Sequence, residues 1–245
     1  LDRFSQDVHA ARECGASVVR TVLHGGRRYE VFQRAEQFRA FRERVQQSLR
    51  QILPVLKRWN IRLAVENHKD LRTPELLELI RRFSDERLGI CFDTGNDFAL
   101  LEHPERTAKA LAPWVFSCHF KDMAVEMDGA SEGFRLAEVP LGQGSLDLTL
   151  IANTLRAANP ALKLNLEMIT RDPLWIPCLS DGYWATLGEV SGRELAQTLR
   201  WARKHSRELP RFAKLPIDRQ LAAEDEHVRR SLDFARSRLP ILANP

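Results

Sequence analysis

Thiols are scarce and scattered in this sequence. Its four cysteines, Cys14, Cys91, Cys118 and Cys178, form no C-x-x-C pair, which excludes both the closely spaced thiolates of a structural zinc site and a disulfide framework. They read as reduced thiols, mostly core filler. Long apolar runs are also missing: no stretch approaches the roughly 18 consecutive apolar residues of a membrane span. The opening "LDRFSQDVHA" lacks the apolar segment of a secretory signal. The expectation is a soluble, intracellular, cytoplasmic protein with no membrane partner. No G-x-G-x-x-G or Walker sequence follows any strand-like segment, so no nucleotide cofactor is indicated. No low-complexity segment or obvious linker breaks the chain.

What is present points to one core. A hydrophobic content of 44% over 245 residues suits one α/β-barrel-sized domain. The 37 Lys and Arg against 33 Asp and Glu give a net charge of +4, with both signs mixed along the helices. That is weak support for an anionic ligand and a poor argument for nucleic acid. Five short apolar runs bounded by turn-formers read as strands: 17–23, 61–67, 88–94, 115–122 and 162–168. Amphipathic stretches alternate with them, the clearest placing Phe38, Phe41, Val45, Leu49, Ile52, Leu56 and Trp59 on one helix face. Thr73 before Pro74 reads as a helix cap, and Ser191 with Glu194 as a capping box. Beyond residue 190 the pattern is helical, roughly 191–206 and 218–238. Alternating strands and helices imply βαβ units around a parallel sheet. The expected division is a catalytic domain over 1–190 and a helical segment over 191–245 that packs on or extends it.

Four of the five strands end on a metal-competent side chain: Glu66, Asp93, His119 and Glu167. In α/β barrels that end of the sheet carries the active site. Alternation puts Ala64 with Glu66, Cys91 with Asp93, Ser117 with His119 and Lys121, and Asn165 with Glu167. The other face carries Leu63, Val65, Ile90, Phe92, Phe116, Phe120, Leu164, Leu166 and Met168. Large apolar residues thus share the helix-covered face, while the candidate ligands have small or polar neighbours that leave room for a metal and a polar substrate. Taken singly, each acid is more commonly a loop or cap residue, and the histidine a core residue. Four in phase on four strands are a different matter. Three carboxylates and one imidazole suit Mn²⁺, Mg²⁺, Co²⁺ or Zn²⁺ in a catalytic site with open positions.

The stretches "VENH" (65–68), "FDTGN" (92–96), "HFKD" (119–122), "VPLGQGSLDL" (139–148) and "LEMITRDP" (166–173) resemble the xylose-isomerase-like TIM barrels. That family includes sugar and sugar-phosphate isomerases, epimerases and inosose dehydratases. The resemblance spans most of residues 17–177 and implies a (β/α)8 fold in which Glu66, Asp93, His119 and Glu167 hold one divalent cation. A metal-stabilised enediolate, with Glu66 and Glu167 moving protons, would then give isomerisation or epimerisation; an acid near a β-hydroxyl would give dehydration. Lys121 is the further catalytic candidate, to neutralise charge or protonate a leaving hydroxyl; the alternative is a solvated loop lysine paired with Asp122. His68, Asn96, Arg171 and Arg20 are candidate substrate contacts. Gly142 and Gly144 shape the loop before a helix at 146–158, and Trp175, Tyr183 and Trp184 read as a packed lid or interface. The implied ligand is a small sugar or polyol, and the helical tail allows a homo-oligomer.

Two departures from the family pattern stand out. Asp93-Thr-Gly-Asn96 replaces an Asp-x-x-His, and only about five of the eight strand–helix units are visible. The first visible strand resembles the family's fourth, so the N-terminal part of the barrel is expected to lie in a longer gene product. A rival reading is an apurinic-site endonuclease; it needs more histidines than His24, His68, His103 and His119 supply near the strand ends. The basic residues of "RAEQFRAFRERVQQSLR" also lack interleaved aromatics. A third reading is a binding module that has lost turnover.

Overall fold

Each short apolar run becomes a strand because turn-formers bound it and an amphipathic helix covers one of its faces. The computed structural model describes residues 1–127 and 132–239. In chain order, α1 (Asp2–Glu13), β1 (Val18–Thr21), α2 (Arg28–Val31), α3 (Ala35–Trp59), β2 (Arg62–Glu66), α4 (Thr73–Phe83), β3 (Leu88–Asp93), α5 (Pro104–Leu111) and β4 (Val115–Phe120) make up the first half. The second half comprises β5 (Asp122–Glu126), β6 (Phe134–Val139), α6 (Leu148–Ala158), β7 (Leu164–Leu166), β8 (Leu174–Ile176), α7 (Asp181–Trp184), α8 (Gly192–His205) and α9 (Ile217–Arg238). Residues 240–245, the end of the expected helical tail, lie outside the described residues.

The five expected strands are those of one parallel sheet, in the order β1-β2-β3-β4-β7. With helices over its outer face, the sheet curls as part of a (β/α) barrel. Leu63, Val65, Ile90, Phe92, Cys118 and Phe120 pack into one buried cluster with Phe38, Phe41, Val45, Leu49 and Leu56 of α3, Leu76 and Ile80 of α4, and Ile151 and Leu155 of α6. Phe116 departs from the expected alternation. The β3–β4 register shifts at Ile90/Cys91, so Val115 and Ser117 pair while Phe116 is skipped. Phe116 instead lies over Gly89 and under the Arg62 guanidinium, 4.6 Å from its ring centre, as expected for the residue left unpaired by a bulge.

A second sheet, antiparallel and ordered β5-β6-β8, is absent from the five-strand reading. It begins where the expected strand 115–122 breaks after Phe120. Asp122 turns inward, and its carboxylate accepts the backbone N–H groups of Gly142, Gly144 and Leu146 at 3.0, 2.8 and 3.3 Å. Gly144 is required there, because an added Cβ would lie 2.0 Å from Asp122 Oδ1. This sheet has its own core, in which Met123, Val125, Phe134, Leu136, Ile176, Tyr183 and Ala202 meet. Tyr183 and Trp184 are packed as expected: the Tyr183 hydroxyl donates to Ala99 O at 2.8 Å, and Trp184 Nε1 to Cys178 O at 3.0 Å.

Helix ends follow the sequence with one correction. Ser191 Oγ accepts the Glu194 N–H at 3.3 Å while the Glu194 carboxylate accepts the Ser191 N–H at 2.8 Å, a complete capping box. Thr73 is the first helical residue of α4 and not its cap. Its N–H donates to Glu102 Oε2 at 2.9 Å and its hydroxyl to Thr107 at 3.1 Å, while Glu75 accepts the preceding Arg72 N–H at 2.8 Å. α8 lies on the second sheet, with Trp201 stacked 3.9 Å from Phe98. α9 returns to the barrel end, where Ser231 Oγ accepts the Leu141 N–H at 3.2 Å and Phe234 covers Gly142.

Candidate active site

The parallel register brings the strand ends to one level, since Asp93 pairs with His119 and Glu66 with Cys91. Two hydroxyl and amide locks hold them. Asn67 accepts the Asp93 N–H at 2.7 Å and donates to Asp93 O and Asp97 Oδ1 at 3.1 and 2.7 Å. Thr94 Oγ1 accepts the Lys121 N–H and donates to Lys121 O, both at 2.7 Å. The backbone around Asp93 and Lys121 is therefore fixed by buried, satisfied groups.

His119 stands at the centre. Its Nδ1 is 3.4 Å from Glu66 Oε2 and 3.6 Å from Glu167 Oε2. Ligand atoms of Asp93, His119 and Glu167 lie within 4.8 Å of one another, as do those of Glu66, Cys91 and His119. The four expected ligands and Cys91 thus form two overlapping triads that share the imidazole. Cys91 Sγ shares the second triad, but burial pushes the thiol up to about 12 and keeps it protonated.

Lys121 is buried and paired with neither solvent nor Asp122, which overturns the loop-lysine alternative. Its Nζ lies 2.9 Å from Asp93 Oδ1, 2.9 Å from Glu167 Oε2 and 3.5 Å from Glu138 Oε1. Burial alone would lower the ammonium, yet these three carboxylates hold it above its ordinary value. The reciprocal effect falls on Glu167: burial opposes its ionisation, but Lys121 beside it holds it down to about 2. Glu66 goes the other way. Burial raises it, against the Arg20 guanidinium 3.1 Å from Oε2. Asp93 is raised by burial as well, with Lys121 opposing.

The remaining expected residues divide into two places. Asn96 is buried and donates to Asp93 Oδ2 at 2.6 Å, and Arg20 is half-exposed on Glu66. His68 and Arg171 line a neighbouring cleft of about 200 Å³ with Lys69, Gly25, Gly26, Arg27 and Glu30. Lys69 and Glu138 are additions that the strand-end reading missed. Glu138 ends the alternating run "FRLAEV", the same signal as the other acids, but on the antiparallel sheet. Its Oε1 accepts from Arg171 at 2.9 Å and its Oε2 from the Ile169 N–H at 2.8 Å.

The donor set fits a divalent cation. His119 Nδ1 is a buried atom without a hydrogen bond among the described residues, and Glu66 Oε2 and Asp93 Oδ1, likewise without one, meet only the ion pairs to Arg20 and Lys121. Such atoms are costly unless something binds them. Oxygen donors with one imidazole suit a hard to borderline ion.

A sheet of this curl with metal-competent residues at its C-terminal edge defines a barrel enzyme scaffold. The model of the family described as xylose isomerase-like TIM barrel matches residues 1–205, and the chain belongs to that family. A 3-oxo-isoapionate decarboxylase from Pectobacterium atrosepticum is 33% identical over 108 residues, which are 44% of this chain and 39% of that protein. The matched stretch therefore spans well under half of that relative. A xylose isomerase-like TIM barrel protein from Mycobacterium smegmatis, solved in complex with magnesium, superposes with a TM-score of 0.56 at 18% identity, over 81% of this chain and 68% of that one. A mannonate dehydratase from Streptococcus suis superposes with a TM-score of 0.53 at 12% identity, over 88% and 74%. The two structural likenesses concern the fold; the decarboxylase and the dehydratase are enzymes by name.

Proposed function

We propose that this chain carries the site of a divalent-metal-dependent isomerase or epimerase of a keto-sugar or related polyol. The observation that supports this most is the pair of glutamates converging on His119 with opposite electrostatic poise. Glu167, open to solvent on one side, is kept ionised by Lys121 and is placed to take a proton. Glu66 is buried, its carboxyl raised by that burial against the Arg20 guanidinium, and it is placed to return one. When bound by Glu66, Asp93, His119 and Glu167, a divalent ion would supply electrophilic polarisation of a substrate carbonyl, which acidifies the adjacent C–H. Lys121 adds a fixed positive charge beside the developing anion, and Asn67 and Asn96 keep Asp93 oriented. Two proton-transfer groups on opposite sides allow the proton to leave one face or atom and return to another.

Decarboxylation of a keto-sugar acid is the second reading, favoured by the 33% identity to a decarboxylase. Loss of carbon dioxide leaves a carbanion next to a carbonyl, which needs the same polarisation and a proton from Glu66 or Lys121. Metal content of the 245-residue chain, with Glu66→Gln and Glu167→Gln beside it, tests the site. About one equivalent in the wild type and loss in both variants is expected; no bound metal in a well-folded chain would overturn the assignment. Ketoses and 3-oxo sugar acids incubated in deuterated water then separate the reactions. Deuterium at the exchanged carbon without gas release supports the first reading, and carbon dioxide release the second.

A further inference from the structure

Lys69 is a buried cation without an ion pair among the described residues; the carboxylates whose charge it feels, Asp93 and Glu138, are already paired with Lys121. Only 7% of the residue is exposed, and among the described residues its ammonium makes no hydrogen bond or ion pair. Its backbone is left-handed, with φ +63°, a conformation that a side chain with a Cβ rarely adopts. The Arg28 N–H, donating to Lys69 O at 3.0 Å, pins it there. Buried charges are normally paired, and strained backbone persists where the surroundings enforce it. No described side chain pairs with this ammonium, and it lines the neighbouring cleft.

That cleft has an uncompensated positive lining. Arg27 and Glu30 neutralise each other in an ion pair. Arg171 shares Glu138 with Lys121, so two cations already divide that carboxylate, and Lys69 is left over. His68 Nδ1 lies 3.2 Å from His24 O, which makes it the donor nitrogen and leaves Nε2 as an acceptor for a hydroxyl. The cleft adjoins the acid cluster through the Arg171–Glu138–Lys121 chain. A cation meeting a planar guanidinium is the usual recognition chemistry for a carboxylate or phosphate.

We propose that the cleft of Lys69, Arg171 and His68 is the subsite for an acid group, carboxylate or phosphate, on the substrate. The site then acts on hydroxylated acids and not on neutral sugars; calling the ligand a substrate rests on the reading above.

Calorimetric titration of the whole chain tests this with tartronate, 2-phosphoglycolate and, as neutral control, erythritol. It is run on protein stripped of metal and on protein loaded with Mn²⁺. Both acids should bind the stripped wild type, and erythritol should not. Lys69→Met and Arg171→Gln should each weaken the acids by about tenfold or more, while Mn²⁺ affinity, followed by electron paramagnetic resonance, does not fall. The tighter of the two acids identifies carboxylate or phosphate. Because Lys69 has no partner to lose, Lys69→Met should melt no lower than the wild type; Arg171 is half-exposed, so its variant folds regardless. Equal acid binding by Lys69→Met and wild type, or erythritol binding as well as tartronate, would overturn the proposal. Failure of the metal-dependent reading shows separately, as a wild type that takes up no Mn²⁺ while still holding acids through Lys69.

Discussion

At the scale of single residues, burial sets the chemistry more than sequence neighbourhood does. Asp70 is fully buried and accepts the Leu71 and His24 N–H groups at 2.7 and 3.3 Å, the latter fixing the backbone that leads to the cleft. Burial pushes its carboxyl up to about 6 from an ordinary value of 3.8. The folded chain therefore keeps a proton between those values that the unfolded chain has released, so stability should fall as pH rises through that window. Asp70→Asn should flatten this slope, and melting curves across the window check it. Gly144→Ala should cost on the order of 2 kcal/mol or more, because the new methyl collides with a carboxylate already committed to four amides; chemical denaturation measures it. That Glu66, Asp93, His119 and Glu167 converge at one edge of the sheet was legible in the sequence because strand alternation repeats every two residues. The isolation of Lys69 was not, since it depends on which groups the folded loops bring near it. Lys121 was recognised as a candidate, but its three carboxylate partners come from β3, β6 and the segment after β7, and no spacing rule connects those.

At the scale of elements, periodicity found what has a face and missed what does not. α3 and the parallel strands carry long or repeated apolar patterns and lie where those patterns put them. β5, β6 and β8 are short antiparallel pieces, and "DMAVE" reads as the tail of the preceding strand until the Asp122 carboxylate gathers Gly142, Gly144 and Leu146 and turns the chain. Likewise a bulge that skips Phe116 leaves no mark in the residue order. Helix caps were legible where the side chain serves its own helix, as in the capping box at Ser191, and misleading at Thr73, whose hydrogen bonds go to Glu102 and Thr107 of another segment. Ser191→Ala should lower stability by about 1 kcal/mol, seen as a melting temperature reduced by roughly 2–4 °C in a chain of this size.

At the scale of the whole molecule, the two cores and the returning helix α9 make the site a junction between the curved parallel sheet and the antiparallel one. The parallel sheet supplies Glu66, Asp93 and His119, and the antiparallel sheet supplies Glu138. No described helix is long and apolar enough to cross a membrane. Binding to the folded state alone should stabilise the whole: Mn²⁺ at a hundred times its dissociation constant should add about 2.7 kcal/mol. Thermal melts with and without the ion check this, and Glu66→Gln should abolish the difference. Removing metal should not unfold the chain, and the reason lies with Lys121. Its ammonium is a tethered placeholder that keeps Asp93 and Glu167 from repelling each other when no ion is present. Loading would then add a cation beside that ammonium inside a box that already has its shape, unlike the zinc-dependent miniature domains that collapse only around their metal.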